Sequence, residues 1–107
     1  MSAERIGELN DQFRTASSGG RVMMTAGIAA LSEDTRREVL DRVRTFHAFT
    51  PENDPYGEHD FGSVEVEGKK VFWKIDAYDA AMEFGSEDPA DPSKTTRVLT
   101  IMLASEY

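Results

Sequence analysis

Apolar and polar residues alternate most cleanly between positions 64 and 75. Val64-Glu65-Val66 is followed by Glu67-Gly68, and residues 69–75 then run into an apolar stretch. Period-two alternation interrupted by a two-residue loop predicts a β-hairpin, and a Gly at the second loop position suits a type I′ turn. That loop pairs Val66 with Lys69, Glu65 with Lys70, Val64 with Val71 and Gly62 with Trp73. One face then carries Val64, Val66, Val71, Trp73 and Ile75, and the other carries Glu65, Lys70, Phe72 and Lys74. Glu65–Lys70 would be a favourable cross-strand pair, worth roughly 0.2–1 kcal/mol. Gly62 leaves room for the indole of Trp73. A slip of one residue would turn Trp73 and the valines to the wrong side, so the register is well specified. In the same register Asp60 lies across from Ile75, which brings Asp76 to the same end of the hairpin.

The spacing of Ile6, Leu9 and Phe13 predicts a helix over residues 2–17, with Ser2 as N-cap and Ser17-Ser18-Gly19-Gly20 as the stop. Glu4, Glu8, Asp11 and Arg14 fall on its remaining faces. Residues 21–26 form a short apolar run after the glycines and read as a buried strand. The glycine pair is not a phosphate loop, because no GK[ST] follows and the order is helix to strand. Ser32 caps a second helix, with Glu33 and Asp34 in its first turn, where the dipole favours acids. Val39, Leu40, Val43, Phe46 and His47 line one face of it, and His47 reads as a buried or half-buried structural residue. Its four arginines are interleaved with Glu33, Asp34, Glu38 and Asp41, the pattern of a solvated, salt-bridged face rather than a nucleic-acid helix. Prolines and glycine make 49–57 and 85–93 loops. Residues 80–84 extend the sheet or make a short turn. The Thr, Val and Ile content of 95–103 favours a strand, with a buried helix as the alternative. Helix, strand, helix, hairpin, strand implies an α+β fold: an antiparallel sheet of about four strands with two helices packed on one face.

A length of 107 residues corresponds to a single domain spanning 1–107. With no Cys there is no disulfide and no thiolate metal site. No apolar run approaches the ~20 residues of a membrane span, and the charged N-terminus has no signal-peptide core. A cytoplasmic protein away from the membrane is expected. The net charge is −8 and is unevenly placed. Residues 1–51 hold seven acidic and seven basic residues, whereas residues 52–107 hold thirteen acidic and five basic. Such a field repels nucleic acid and attracts basic partners or cations, although acidic surfaces also serve solubility alone.

The phrases NDPYGEHDFG, VFWKIDAYD and EFGSEDPADPSKTTRVLTIMLASEY, with ELNDQFR and GGRVMMTAGIAAL before them, resemble a bacterial family catalogued as domain of unknown function 3768. The resemblance covers nearly the whole chain. It implies a small bacterial protein of plasmids and other mobile elements. It carries no assigned activity and therefore no catalytic residue.

The densest candidate chemistry is Glu58, His59 and Asp60 with Asp76 and Asp79. One His among carboxylates can hold a hard or borderline cation, or act as a general base. No HExxH or calcium-loop spacing is present, and adjacent strand residues point to opposite faces. A loop whose acids cap backbone N–H groups is the simpler reading. There is no GxSxG elbow and no Cys for nucleophilic catalysis. The leading expectation is a non-catalytic interaction or regulatory protein that imitates the charge of nucleic acid and meets a basic protein partner. Its binding residues would be Glu58, His59, Asp60, Asp76, Asp79, Glu87, Asp88 and Asp91. The alternative is a small metal-binding protein or hydrolase-like enzyme using His59 and the nearby carboxylates. No cofactor and no direct nucleic-acid contact are expected, and a homodimer is compatible with either reading.

Overall fold

The computed structural model describes residues 2–16 and 18–107. The side chain of Ser2 and residue Ser17, read above as cap and stop, lie outside the described residues. Helix α1 spans Ser2–Ala16 and is followed by strand β1, Gly20–Met24. A short helix α2, Ala26–Ala29, precedes α3, Glu33–Arg44. Strands β2 (Phe61–Val66), β3 (Lys69–Tyr78) and β4 (Thr96–Leu103) complete the sheet. Strand order is β1-β4-β3-β2.

The hairpin has the expected register: Gly62 faces Trp73, Val64 faces Val71, Glu65 faces Lys70 and Val66 faces Lys69. Glu67 and Gly68 both have positive φ, 52° and 78°, as a type I′ turn requires. The Ile75 N–H donates to the Asp60 carbonyl at 2.8 Å, which extends the pairing as read from the sequence. Residues 95–103 hold a strand, β4, antiparallel to β3. Residues 80–84 form a turn, after which Gly85 bridges back to Tyr78.

Three expectations for the strands and helices fail. The sheet is mixed and not purely antiparallel, because β1 runs parallel to β4 from Gly20↔Arg97 to Met24↔Ile101. α1, β1 and the helices after them form no hairpin with β4, so the consecutive-strand argument does not reach this pair. β1 is also an edge strand with every residue exposed, not a buried one. An apolar run of five cannot by itself distinguish centre from edge. Among the described residues there are three α-helices rather than two, since α2 turns the chain and buries Ile28.

One face of the sheet carries Val71, Trp73, Ile75, Leu99 and Ile101, which form one core with Phe13 of α1, Ile28 of α2, and Val39 and Val43 of α3. Ser32 caps α3 as expected, its hydroxyl accepting from the Thr35 N–H at 3.2 Å. His47 is exposed rather than half-buried, with Nδ1 3.1 Å from the Thr45 carbonyl. It lies beyond Thr45, the C-cap of α3, so the helical stripe no longer governs its direction. The opposite face of the sheet carries an aromatic group of Phe61, Phe72 and Tyr107.

Candidate functional site

β2 begins with Phe61 opposite Lys74, and β3 ends with Tyr78 opposite Thr96, where β4 begins. The loops 51–60 and 79–95 therefore leave the same end of the sheet. Residues 52–60 contain four acids and no Lys or Arg, and residues 79–95 contain five acids and one Lys.

The acids fall into two groups. Glu58, Asp60, Asp54 and Asp76 are close enough to act on one another. Burial raises the Glu58 carboxyl above its ordinary range, followed by the charges of Asp60 and Asp54. Burial also raises Asp60, reinforced by Asp54 and Asp76 and opposed by a backbone hydrogen bond and His59. Asp76 pairs with Lys74 at 3.3 Å. In the second loop the acids shape turns. Asp79 accepts from the Glu83 N–H at 3.0 Å, and Asp88 accepts from the Ala90 N–H at 3.1 Å. Asp91 accepts from the Ser93 hydroxyl at 2.6 Å and its N–H at 2.9 Å, which holds its carboxyl below the ordinary range. Glu87 is exposed and shares a shallow cavity with Asp79, Phe84 and Lys94. Among the described residues no group of three His, Asp or Glu side chains is placed to hold a metal ion.

His59 points away from most of these acids. Its backbone has φ 54°, a left-handed conformation costly for a residue with a Cβ. The ring lies flat on Phe49, with centroids 3.9 Å apart and planes 2° apart. Nδ1 is 2.9 Å from a carboxylate oxygen of Asp11, and Nε2 is 3.4 Å from Asp54. The Asp54 carboxylate also accepts from the His59 N–H at 3.2 Å. Asp11 in turn accepts from Arg14 Nη2 at 2.9 Å. Arg14 is only 2 % exposed. Its Nη1 donates to the carbonyls of Val43, Arg44 and Phe46 at 2.9, 3.3 and 3.0 Å, satisfying orphan groups at the C-terminus of α3. Its guanidinium lies 4.9 Å from the Trp73 ring, a cation–π contact.

Asp54, His59, Asp11 and Arg14 thus form one chain of contacts from the first acidic loop through α1 to the end of α3. It borders a cavity of about 590 Å³, also lined by Arg44, His47 and Phe49. A general base needs a ring nitrogen within reach of substrate. Here both nitrogens face carboxylates and one ring face is covered, contacts that tie the loop to α1 in the manner of a clamp. Sequence reasoning placed Asp11 and Arg14 on the solvated side of α1 and missed this network. The i, i+3 spacing of the two was the available signal.

No curated protein and no solved structure matches the chain. A family profile matches residues 24–106, which takes in the hairpin, both acidic loops and β4. The chain belongs to the family described as protein of unknown function DUF3768.

Proposed function

We propose that this protein is a non-catalytic interaction module that presents the acidic end of its sheet to a basic protein surface, in the manner of a nucleic-acid mimic. The observation that carries the reading is that both acidic loops leave the same end of the sheet. Two loops at opposite ends would have given two weak patches and no common face. Burial and, behind it, mutual repulsion raise the carboxyls of Glu58 and Asp60. A cationic partner relieves that repulsion on binding. The turns built by Asp79, Asp88 and Asp91 restrict the loop before it binds, which lowers the ordering cost of association. The setting is the cytoplasm of a bacterium carrying mobile DNA.

The test begins with a pull-down from the native host at low and high salt. The parent and a variant with Glu87→Gln, Asp88→Asn and Asp91→Asn are then compared on the captured partner. Asn keeps the side-chain oxygen that accepts in each turn, so the fold is retained. The association rate should fall by about tenfold with little change in dissociation. Equal association rates for parent and variant would refute the reading.

A second reading is a small enzyme or metal-binding protein using His59. It draws on the His59–Asp11 pair beside the larger cavity. The engagement of both ring nitrogens places it behind the first.

A further inference from the structure

Arg97 is 4 % exposed and sits at the start of β4, opposite Gly20 of β1. Its Nε donates to Asn10 Oδ1 at 2.7 Å, and its Nη2 donates to the Pro89 carbonyl. Asn10 is fixed in that orientation because its Nδ2 donates to the Glu58 carbonyl at 2.8 Å. Among the described residues Arg97 has no carboxylate partner, and its Nη1 donates to none of them. A buried guanidinium normally has its charge compensated. Asp91 of the second loop is engaged by Ser93 in its own turn.

The charge instead borders an open cavity of about 430 Å³ beneath α1. Arg5, Leu9, Gln12 and Phe13 supply one wall from a single stripe of α1, and Pro92 closes the side with Arg97. Burial and then the positive charge of Arg5 lower the pKa of Arg97, so the two cations feel one another across the site. Arg5 has a partner in Glu8 at 3.7 Å, but both side chains are largely exposed and such a pair is weak. The volume is within the range of small-molecule sites, roughly 300–1,000 Å³.

We propose that this cavity binds a small phosphate monoester, its phosphate between Arg97 and Arg5 and its organic body against Leu9, Phe13 and Pro92. Two guanidinium groups match a dianion better than a single carboxylate, and Arg suits oxyanions through paired N–H donors. Gln12 adds a polar side chain at the same wall. The site adjoins the second acidic loop, which supplies Pro92 and the Pro89 carbonyl, and its assignment does not rest on the proposed interaction with a basic partner.

Calorimetry on the full chain, with phenyl phosphate as probe and sodium chloride at matched ionic strength as control, tests the assignment. Saturable one-to-one binding is expected, with inorganic phosphate about tenfold weaker because it lacks the apolar body. Arg5→Gln should weaken phenyl phosphate binding by about tenfold while leaving the melting temperature of the unliganded protein unchanged. Arg97→Lys should weaken it at least as much. If Arg97→Lys fails to fold, Arg5→Gln alone decides. Absence of saturable binding, or unchanged affinity in Arg5→Gln, would overturn the proposal. Equal affinities for inorganic phosphate and phenyl phosphate would overturn the assignment of the apolar wall.

Discussion

Gly62 and Trp73 offer the sharpest test of how the core supports the rest of the molecule. A Cβ placed on Gly62 would lie 2.4, 2.5 and 2.6 Å from Nε1, Cε2 and Cζ2 of Trp73. Ordinary contacts between such atoms are about 3.5–4 Å, so Gly62→Ala creates an overlap of roughly an ångström with an indole that has no exposed surface. The ring cannot withdraw easily. Phe46 meets it edge-on at 5.5 Å, Phe49 at 6.1 Å, and the Arg14 guanidinium lies 4.9 Å away. Overpacking costs about 1–3 kcal/mol, and an overlap of this size against a fully enclosed ring belongs near 3 kcal/mol. For a domain of this size that is a drop in melting temperature of roughly 12–20 °C. Trp73→Leu alone should cost about 2–4 kcal/mol through the cavity it leaves. In the double variant the new methyl occupies part of that cavity. It should be no less stable than Trp73→Leu alone, a coupling of about 2–3 kcal/mol. Guanidinium unfolding followed by far-UV circular dichroism measures all three variants without relying on the lost fluorophore. Costs that simply add, or a Gly62→Ala cost below ~0.5 kcal/mol, would show that the indole does not lie across Gly62 as described.

If His59 is a clamp, zinc, manganese, magnesium and calcium should leave the melting temperature unchanged, while His59→Ala should destabilise by about 1–2 kcal/mol; a cation-induced rise that His59→Ala abolishes would favour the metal reading. The raised carboxyls of Glu58 and Asp60, above their ordinary 4.5 and 3.8, oppose folding when charged, so their contribution improves as pH falls toward those ordinary values. Asp91 and Glu106, which are depressed, contribute stability above their ordinary values and lose it as pH falls through the folded ones. Glu58→Gln with Asp60→Asn should therefore raise the melting temperature near neutrality and change it little below about pH 4; a double variant less stable than the parent at neutral pH would contradict this.

The parts of the fold that sequence reveals are those where local chemistry and burial agree. The hairpin register follows from a Gly-containing turn and a single Trp that has one acceptable side. Ser32 announces α3, and Ile6, Leu9 and Phe13 mark the buried stripe of α1. What stays hidden is polar burial. Asn10 and Arg14 are 3 % and 2 % exposed, yet nothing in a helical pattern separates a buried Arg from a solvated one. Their partners are backbone carbonyls dozens of residues away, at Glu58 and at the end of α3. The His59 clamp was hidden for the same reason. The sequence drew attention to His59 through its neighbours Glu58 and Asp60, whereas its ring meets Asp11 and Asp54. Backbone capping was legible for the acids grouped with His59, and Asp79 does cap the Glu83 N–H, whereas Asp88 and Asp91 read only as exposed loop charges and yet build turns of their own.

The central place of β4 has a consequence for biosynthesis. A ribosome delivers α1 and β1 first, but β1 finds its hydrogen-bonding partner only when residues 96–103 emerge. At roughly 5–20 residues per second, that interval is on the order of several seconds. Throughout it the Val22-Met23-Met24 edge has no neighbour, and the hairpin of β2 and β3 waits without the strand that joins it to the rest. Parallel pairing between distant segments is slow to form. Closure of the four-stranded sheet therefore waits for β4, the strand that joins β1 to the hairpin.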